Sequence, residues 1–426
     1  MRSLYNWAVA PLLSAGYRVY ALRDEKAREF FALREGMRER LARDRAGLGP
    51  GARVVLFHVA SVGELLMAMP VMAAVKARPG APAIALSYTS PSVARNLPKG
   101  LTADLLTPSP LDAAGEVRAF LETLAPAVVV FSTYDLWPNF VWTATDRGVP
   151  LTLINATLPA GSGRLKFPAR GFYRSLYSRL RAVGAITEAD AERHIKLGVD
   201  PSRVRVTGNC RFDQTLARCR AVAADDPDLA ALPAAEFTVV AGSTWPEDHR
   251  HLLPALAELL DAHETAAAVI APHEPSPAHV AEVEDFFQAR GQKVARFTRL
   301  RQGAAGEGAR VMVVDTVGVL YKLYQKGQAA YVGGSFRQGV HSVMEPAGMG
   351  LPIIVGPVHK NSAEAMLMVQ HGAATAAADH RAIAAALEKL VSDPAQCEWA
   401  GREARAVVEQ NAGATGRTMA LLEEFF

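Results

Sequence analysis

Residues 329–357, AAYVGGSFRQGVHSVMEPAGMGLPIIVGP, leave this chain few folds to choose from. An apolar run, Ala329 to Val332, ends in Gly333-Gly334-Ser335, where the absence of side-chain bulk lets a backbone approach closely. A loop carrying His341 follows. Ser342-Val343-Met344-Glu345 then has the S-x-x-E spacing of a capping box, which predicts a helix start near Ser342. That helix should stop around Gly348 to Gly350, and a second apolar run over 351–355 leads into Gly356-Pro357. Strand, glycine loop, helix start and strand bring backbone N–H groups and a carboxylate to one crevice, as a parallel α/β sheet does at a nucleotide site. Glu345 has two readings at this level: a cap for its own helix, or a ligand group at that crevice.

The same pattern recurs along the chain. Residues 53–58, 83–89, 126–131, 151–156, 182–187 and 204–208 read as buried strands alternating with helices. That alternation predicts a parallel, doubly wound sheet. Ser61-Val62-Gly63-Glu64 follows the first strand with S-x-x-E spacing, and Asp135 follows the third, in Ser132-Thr-Tyr-Asp135-Leu-Trp137-Pro-Asn139. Ligands bind such sheets beyond the carboxyl ends of the strands, so both acids fall where chemistry is expected. A carboxylate inside a helix N-terminus is held anionic by the helix dipole and can take a proton from a hydroxyl. Capping explains each equally well: Glu64 as the partner of Ser61, Asp135 as the N-cap of a short helix at Trp137.

Residues 213–235, with Asp225-Asp226-Pro227-Asp228 and many alanines, read as a passage between domains. The plan then starts over with strands at 237–241, 266–271, 311–314, 329–332 and 351–355. Between the first of these and its helix lies Gly242-Ser243-Thr244-Trp245-Pro246-Glu247, a third box of this spacing with proline early in the helix. The expected organisation is a helical, membrane-proximal segment over 1–50, a first Rossmann-like domain over 51–220 and a second over 221–426. The active site is expected in a deep cleft between the two.

Composition narrows the class. At 426 residues, half of them hydrophobic, the chain suits two or three globular domains with large cores. A net charge of +3 gives no reason to expect a nucleic-acid partner. Cys210, Cys219 and Cys397 form no C-x-x-C, which fits a reducing compartment, and the histidines lack metal-ligand spacing. Residues 3–17 carry no charge but are broken by Asn6, Pro11 and Ser14. They fall short of the roughly 20 apolar residues of a spanning helix, and no small-residue cleavage site is evident.

Two basic stretches follow. Over 27–45, Phe30, Phe31, Leu33, Met37 and Leu41 lie among Arg28, Arg34, Arg38, Arg40, Arg43 and Arg45. This reads as one amphipathic helix, either lying on a membrane or pairing its arginines with Glu29, Glu35 and Glu39. Between Asp146 and Glu188 no acid occurs, and Arg164, Lys166, Arg170, Arg174, Arg179 and Arg181 interleave with Phe167, Phe172, Tyr173 and Tyr177. That mixture suits an anionic lipid or membrane surface; a nucleic acid or a solvated basic helix would produce it too.

Seven landmarks in fixed order carry a resemblance over nearly the whole length: Ser61-Val-Gly-Glu64, Leu136-Trp-Pro-Asn139, Val206-Thr-Gly-Asn209, Ala241-Gly-Ser-Thr244, Asp315-Thr-Val-Gly318, Val332-Gly-Gly-Ser335, and His341 with Glu345-Pro346. Together they resemble the Kdo transferases of lipopolysaccharide synthesis, glycosyltransferases of the GT-B fold. The resemblance implies an α/β chain with two Rossmann-like domains facing across a cleft. It implies inverting, metal-independent transfer of Kdo, an acidic eight-carbon sugar, from CMP-Kdo to a lipid A precursor. The setting would be the cytoplasmic face of the inner membrane, with no cofactor. By position it implies Glu64 as general base, Asp135 where the family usually has glutamate, and Arg211 where lysine is common, a candidate cation for the Kdo carboxylate. It implies CMP contacts from Ser243, Pro272, His273, Val317, Gly318, Val319, Ser342, Val343, Met344 and Glu345.

Three positions depart from the pattern. Val319 stands for the usual acid, Pro272-His273-Glu274-Pro275 for R-H-P-E, and Ser342 for asparagine. Backbone contacts survive such changes better than side-chain contacts. The rival readings are another GT-B enzyme using a nucleotide sugar (a lipid glycosyltransferase or a UDP-sugar epimerase) and a non-catalytic relative that binds only nucleotide or membrane.

Overall fold

The computed structural model describes residues 1–98, 100–303 and 308–426. Its first sheet contains β1 (Val54–Val59), β2 (Ala83–Tyr88), β3 (Leu105–Pro108), β4 (Val128–Ser132), β5 (Leu151–Ala156), β6 (Ala182–Ala185) and β7 (Val204–Val206). Their order is β3-β2-β1-β4-β5-β6-β7, and every pairing is parallel. Val, Ile and Ala fill these strands because helices cover both faces: β1, β4 and β5 are buried along their whole length. The order changes direction between β1 and β4, so the crevice beyond their carboxyl ends is the switch point where such sheets take ligands.

The second sheet repeats the plan with β8 (Phe237–Thr244), β9 (Ala266–Pro272), β10 (Val294–Arg296), β11 (Val311–Val313), β12 (Ala329–Val332), β13 (Ile353–Val355) and β14 (Ala374–Ala376). Its order is β10-β11-β9-β8-β12-β13-β14, again parallel, with the switch point between β8 and β12. The strands that pattern did not predict are β3, β10 and β14. All three are short edge strands, and β10 and β14 are only half-covered or partly exposed, so their apolar signal is weak.

The chain divides into one unit of Met1–Gln214 with Ala412–Phe426 and a second of Thr215–Asn411. The expected 221–426 domain thus gives up its last helix. Asp213 draws that helix, Ala414–Leu422, to the first unit by accepting from Gly413 N at 2.5 Å and Thr415 N at 2.6 Å. Arg417 Nε donates to the Thr207 carbonyl at 2.9 Å, and Arg78 holds Glu423 through both guanidinium nitrogens. Nor is 1–50 a separate segment, since Tyr5, Met37 and Leu41 share a core with Val129 and Phe131. Tyr5 donates its hydroxyl to Asp112 at 2.7 Å and packs on Trp142 and Phe172.

The single amphipathic helix expected over 27–45 is two helices, Glu25–Ala32 and Met37–Gly47, broken at Gly36 with φ of 61°. The break turns Arg34 inward. Its guanidinium stacks 3.5 Å over Phe30 and reaches the Thr89 carbonyl and Ser109 Oγ.

In the second unit the glycines after β12 serve packing. A Cβ on Gly333 would lie 2.3 Å from the Ser243 carbonyl oxygen and 2.7 Å from Thr244 Cα, so the ends of β8 and β12 meet backbone to backbone. Gly333→Ala should therefore destabilise the chain by about 1–3 kcal/mol. Gly163→Ala, where a Cβ meets nothing within 4 Å, should change stability by less than about 0.5 kcal/mol. Urea denaturation of the two variants beside the parent checks this, and equal midpoints would contradict it.

Candidate active site

Glu64 sits in the first turn of the helix Val62–Lys76, directly after β1. Ser61 Oγ accepts from Glu64 N and caps the helix, and Glu64 Oε2 reaches back to Ala60 N, one residue before the cap. Capping uses one oxygen only. Oε1 takes no hydrogen bond from the described residues and is not among the buried, unpartnered atoms. Burial pushes the carboxyl up to about 7; the Ala60 N–H opposes the rise and the charge of Asp135 adds to it. A carboxylate that titrates near neutrality and keeps one oxygen open has what a general base needs.

Asp135 follows β4 at the same switch point, and it is not the cap of the helix Pro138–Asp146. Asp112 performs that role from the loop after β3, accepting from Asn139 N at 3.2 Å and Phe140 N at 3.1 Å. Asp135 is instead held through Oδ2 by Trp137 Nε1 at 3.0 Å, His58 Nε2 at 3.4 Å and Thr89 Oγ1 at 3.4 Å. Burial works to raise this carboxyl, but His58 first, then Trp137 and Thr89, outweigh it and leave it below the usual range. The two acids are thus driven apart, one toward neutrality and one firmly ionised, which is how a pair of carboxyls divides acid–base roles.

His58 escaped the sequence reading. It lies inside β1, wholly buried, with Nδ1 2.9 Å from Ser87 Oγ on β2. In a strand buried on both faces, alternation carries no signal to mark one polar residue as special. Arg34 was noted only as part of a basic face. Burial lowers its guanidinium to about 10, and it lies against Thr89, which itself reaches Asp135.

Arg211 opens the helix Cys210–Arg220, where its N–H donates to Asn209 Oδ1 at 2.9 Å. Its guanidinium is half-buried and forms no hydrogen bond or ion pair with the described residues. The basic–aromatic stretch begins beside Asp135, since the Arg164 guanidinium lies 4.9 Å from the Tyr134 ring and 5.4 Å from that of Tyr173. Arg170 and Arg179 donate to carbonyls of Lys196 and Ser175, while Phe167 is 96% exposed.

In the second unit the predicted nucleotide residues fall into three groups. Ser243, with φ of 55°, and Pro272, opposite Thr244, lie at the ends of β8 and β9. The box expected at Thr244 moves one residue: Trp245 is the N-cap of the helix Pro246–Ala262, and its N–H donates to Asp248 at 2.9 Å. His273 stacks on His341 at 4.2 Å and on Trp245 at 4.9 Å. Trp245 was read only as part of a turn.

Ser342 and Glu345 form the second group. The helix begins at Met344, two residues later than expected, because Ser342 Oγ accepts from Met344 N and itself donates to Glu345 Oε2 at 2.5 Å. Arg218 reaches the other Glu345 oxygen at 3.4 Å. Val343 and Met344 are buried, so only their backbone can face a ligand. The third group, Val317 to Val319, stands beyond β11. Val317 is exposed, Gly318 has φ of 86°, and the Val319 side chain packs into the core with Met312 and Leu323. No group of three or more metal-ligating side chains occurs among the described residues.

Residues 35–214 match the family described as 3-deoxy-D-manno-octulosonic-acid transferase (kdotransferase). The 3-deoxy-D-manno-octulosonic acid transferase of Bordetella pertussis is 29% identical over 387 residues, which is 88% of this chain and 88% of the relative. That of Chlamydia pneumoniae is 29% identical over 320 residues, 73% of this chain and 70% of the relative. Among solved structures, a UDP-GlcNAc 2-epimerase from Neisseria meningitidis superposes with a TM-score of 0.58 at 15% identity, covering 84% of this chain and 99% of that one. That last likeness is one of fold alone. The resemblance read from the seven landmarks therefore extends over most of the chain as a similarity to the Kdo transferases, on an α/β fold of two parallel sheets.

Proposed function

We propose that the chain moves Kdo from CMP-Kdo to a lipid A precursor, lipid IVA, inverting the anomeric centre without a metal. The observation that carries this reading is the split pair Glu64 and Asp135 at the switch point of the first sheet. The acceptor hydroxyl gives its proton to Glu64 Oε1 and attacks the anomeric carbon. The bond from that carbon to the CMP phosphate oxygen breaks on the opposite side, which inverts the centre and releases CMP. Asp135, anchored through Oδ2, keeps Oδ1 for a sugar hydroxyl. The free guanidinium of Arg211 suits the Kdo carboxylate.

CMP belongs to the second unit in this reading. His273, Ser342 and Glu345 can meet it with side chains. Val319, Val343 and Met344 are buried and Gly318 has no side chain, so these four are left to backbone contacts, while Val317 is exposed. Backbone N–H groups after Ser243, at the start of the helix Pro246–Ala262, suit the phosphate charge that grows as the bond breaks.

The acceptor's lipid calls for a membrane surface, here the cytoplasmic face of the inner membrane. Leu4, Trp7, Leu12, Leu13, Val19 and Leu22 are exposed on consecutive N-terminal helical turns, with Trp7 83% exposed. No helix among the described residues is long and apolar enough to cross a membrane. Docking in the plane of the surface, aided by the basic residues of this unit, fits those facts.

Glu64→Gln keeps the size of the side chain and an oxygen for the Ala60 N–H. Its turnover should fall at least about a hundredfold with folding intact, the loss expected of a general base. Mass spectrometry of lipid IVA incubated with CMP-Kdo reads the result, and near-normal turnover would return Glu64 to capping alone. A Trp7→Ser, Leu12→Ser, Leu13→Ser variant should stay unbound where the parent floats with anionic liposomes at low salt. Equal flotation of the two would remove the N-terminal helix from the membrane contact.

A further inference from the structure

In the second unit, Trp245 and His341 form a flat hydrogen-bonded pair. The Trp245 Nε1–H donates to His341 Nε2 at 2.8 Å, with ring centroids 6.3 Å apart and planes 19° from parallel. The two rings lie edge to edge, as paired bases do. His273 lies across them, 12° from the plane of His341 and 29° from that of Trp245.

This geometry settles a proton. An indole N–H only donates, so His341 Nε2 must present its lone pair, and the proton of the neutral ring must sit on Nδ1. Nδ1 has no hydrogen-bond partner among the described residues and is not among the buried, unpartnered atoms. The Cδ2–Nε2 edge is backed by Gly334, where a Cβ would lie 2.8 Å from Cδ2. Nδ1 lies on the opposite side of the ring from that glycine.

The charged and titratable neighbours do not favour an imidazolium. His273 stacks on the ring itself. Arg337 lies 4.4 Å over Trp245, and His279 stands 6.4 Å from it. Glu247 faces Arg337 at 3.8 Å, while Asp248 already accepts from Trp245 N, Gly334 N and the Tyr331 hydroxyl. Burial first, then His273, hold the imidazolium of His341 down to about 4.

We propose that Trp245 fixes His341 as a neutral Nδ1–H donor to the phosphate of the bound nucleotide sugar. Trp245 is the positioning residue and His341 the contact, and the proposal rests on the reading that CMP occupies the second unit. As the bond to the anomeric carbon breaks, its electron pair stays on the phosphate oxygen. A fixed neutral donor stabilises that growing charge without surrendering its own proton. His341 lies directly before Ser342 on the loop that leads into the helix bearing Glu345.

The test uses the full chain with ¹⁵N-labelled histidine, the His341 signal being assigned by its loss in His341→Asn. Long-range ¹H–¹⁵N spectra should show one Nδ1–H tautomer from about pH 5 to about pH 8, the range in which an ordinary histidine changes charge. Trp245→Phe keeps a ring for stacking and removes the donor; His341 should then populate both tautomers, while burial and His273 still hold its charge down. Adding CMP should shift the wild-type Nδ1–H signal. His341→Asn, whose amide N–H falls near Nδ1, should keep kcat within about threefold, whereas His341→Gln, with its amide near Nε2, should lose roughly tenfold, the size of one hydrogen bond. A wild-type His341 that titrates near about 6.5, or Gln outperforming Asn, overturns the proposal. CMP that binds by calorimetry yet leaves His341 unmoved overturns the phosphate contact alone. If CMP does not bind at all, the placement of the donor in the second unit falls as well.

Discussion

Two carboxyls stand at the carboxyl ends of β1 and β4, both largely buried, and the protein gives full support to only one of them. Asp135 receives the indole of Trp137, the imidazole of His58 and the hydroxyl of Thr89, all on a single oxygen. Glu64 has only the backbone N–H groups of Ala60 and Ser61 and feels the charge of its neighbour. An ionised carboxylate removed from water is stable only where donors replace the lost hydration. Asp135 has them and stays charged. Glu64 lacks them, so its proton leaves only near neutral pH. The raised proton affinity also has a sign for stability. Folding gains from this group at low pH and loses that gain as pH rises from the ordinary glutamate range toward about 7. A base held in this state is strained by its place in the fold.

That place is itself a product of packing. β1 can carry His58 in its interior because Ser87 on β2 satisfies one ring nitrogen and Asp135 the other. Asp112 takes over the cap of the helix Pro138–Asp146 and at the same time accepts from Tyr5, so one carboxylate orders the loop around Asp135 and anchors the N-terminal helix. In the second unit Asp248 plays a similar part, joining the start of its own helix to Gly334 after β12 and to Tyr331 within it. The close backbone contact at Gly333 then brings the ends of β8 and β12 together, with Trp245 and His341 on the adjoining residues.

Much of this was legible in the residues. Apolar runs located β1, β2, β4 to β9, β11, β12 and β13, and S-x-x-E spacing located the start of the helix bearing Glu64. The misses share a cause: each depends on contacts distant in sequence. The capping alternative for Asp135 stayed open because spacing cannot reveal that Asp112, from another loop, does that work. The stretch 27–45 looked like one basic helix because its arginines, counted by periodicity, give no sign that Arg34 turns inward at Gly36. Thr244 and Glu247 fit a capping box on paper, yet Trp245 and Asp248 form the helix start because β8 runs on through Thr244. The last helix seemed to belong with the second half until Asp213 and Arg78 were seen to hold it. For the predicted site, pattern placed Glu64, Asp135 and His273 at strand ends. It was silent on His58 and on the Trp245–His341 pair, whose significance lies in ring geometry.

The central claim is that Glu64 is a carboxyl poised near neutrality beside an ionised Asp135. The direct measurement is a pH titration of the Glu64 side-chain carboxyl, by ¹³C NMR of glutamate-labelled protein with Glu64→Gln as the assignment control. The account predicts a midpoint close to about 7 for that signal, falling when His58→Gln and Asp135→Asn together remove the neighbouring charge. A midpoint near the ordinary glutamate value of about 4.3 would contradict it, leaving Glu64 an unremarkable helix cap.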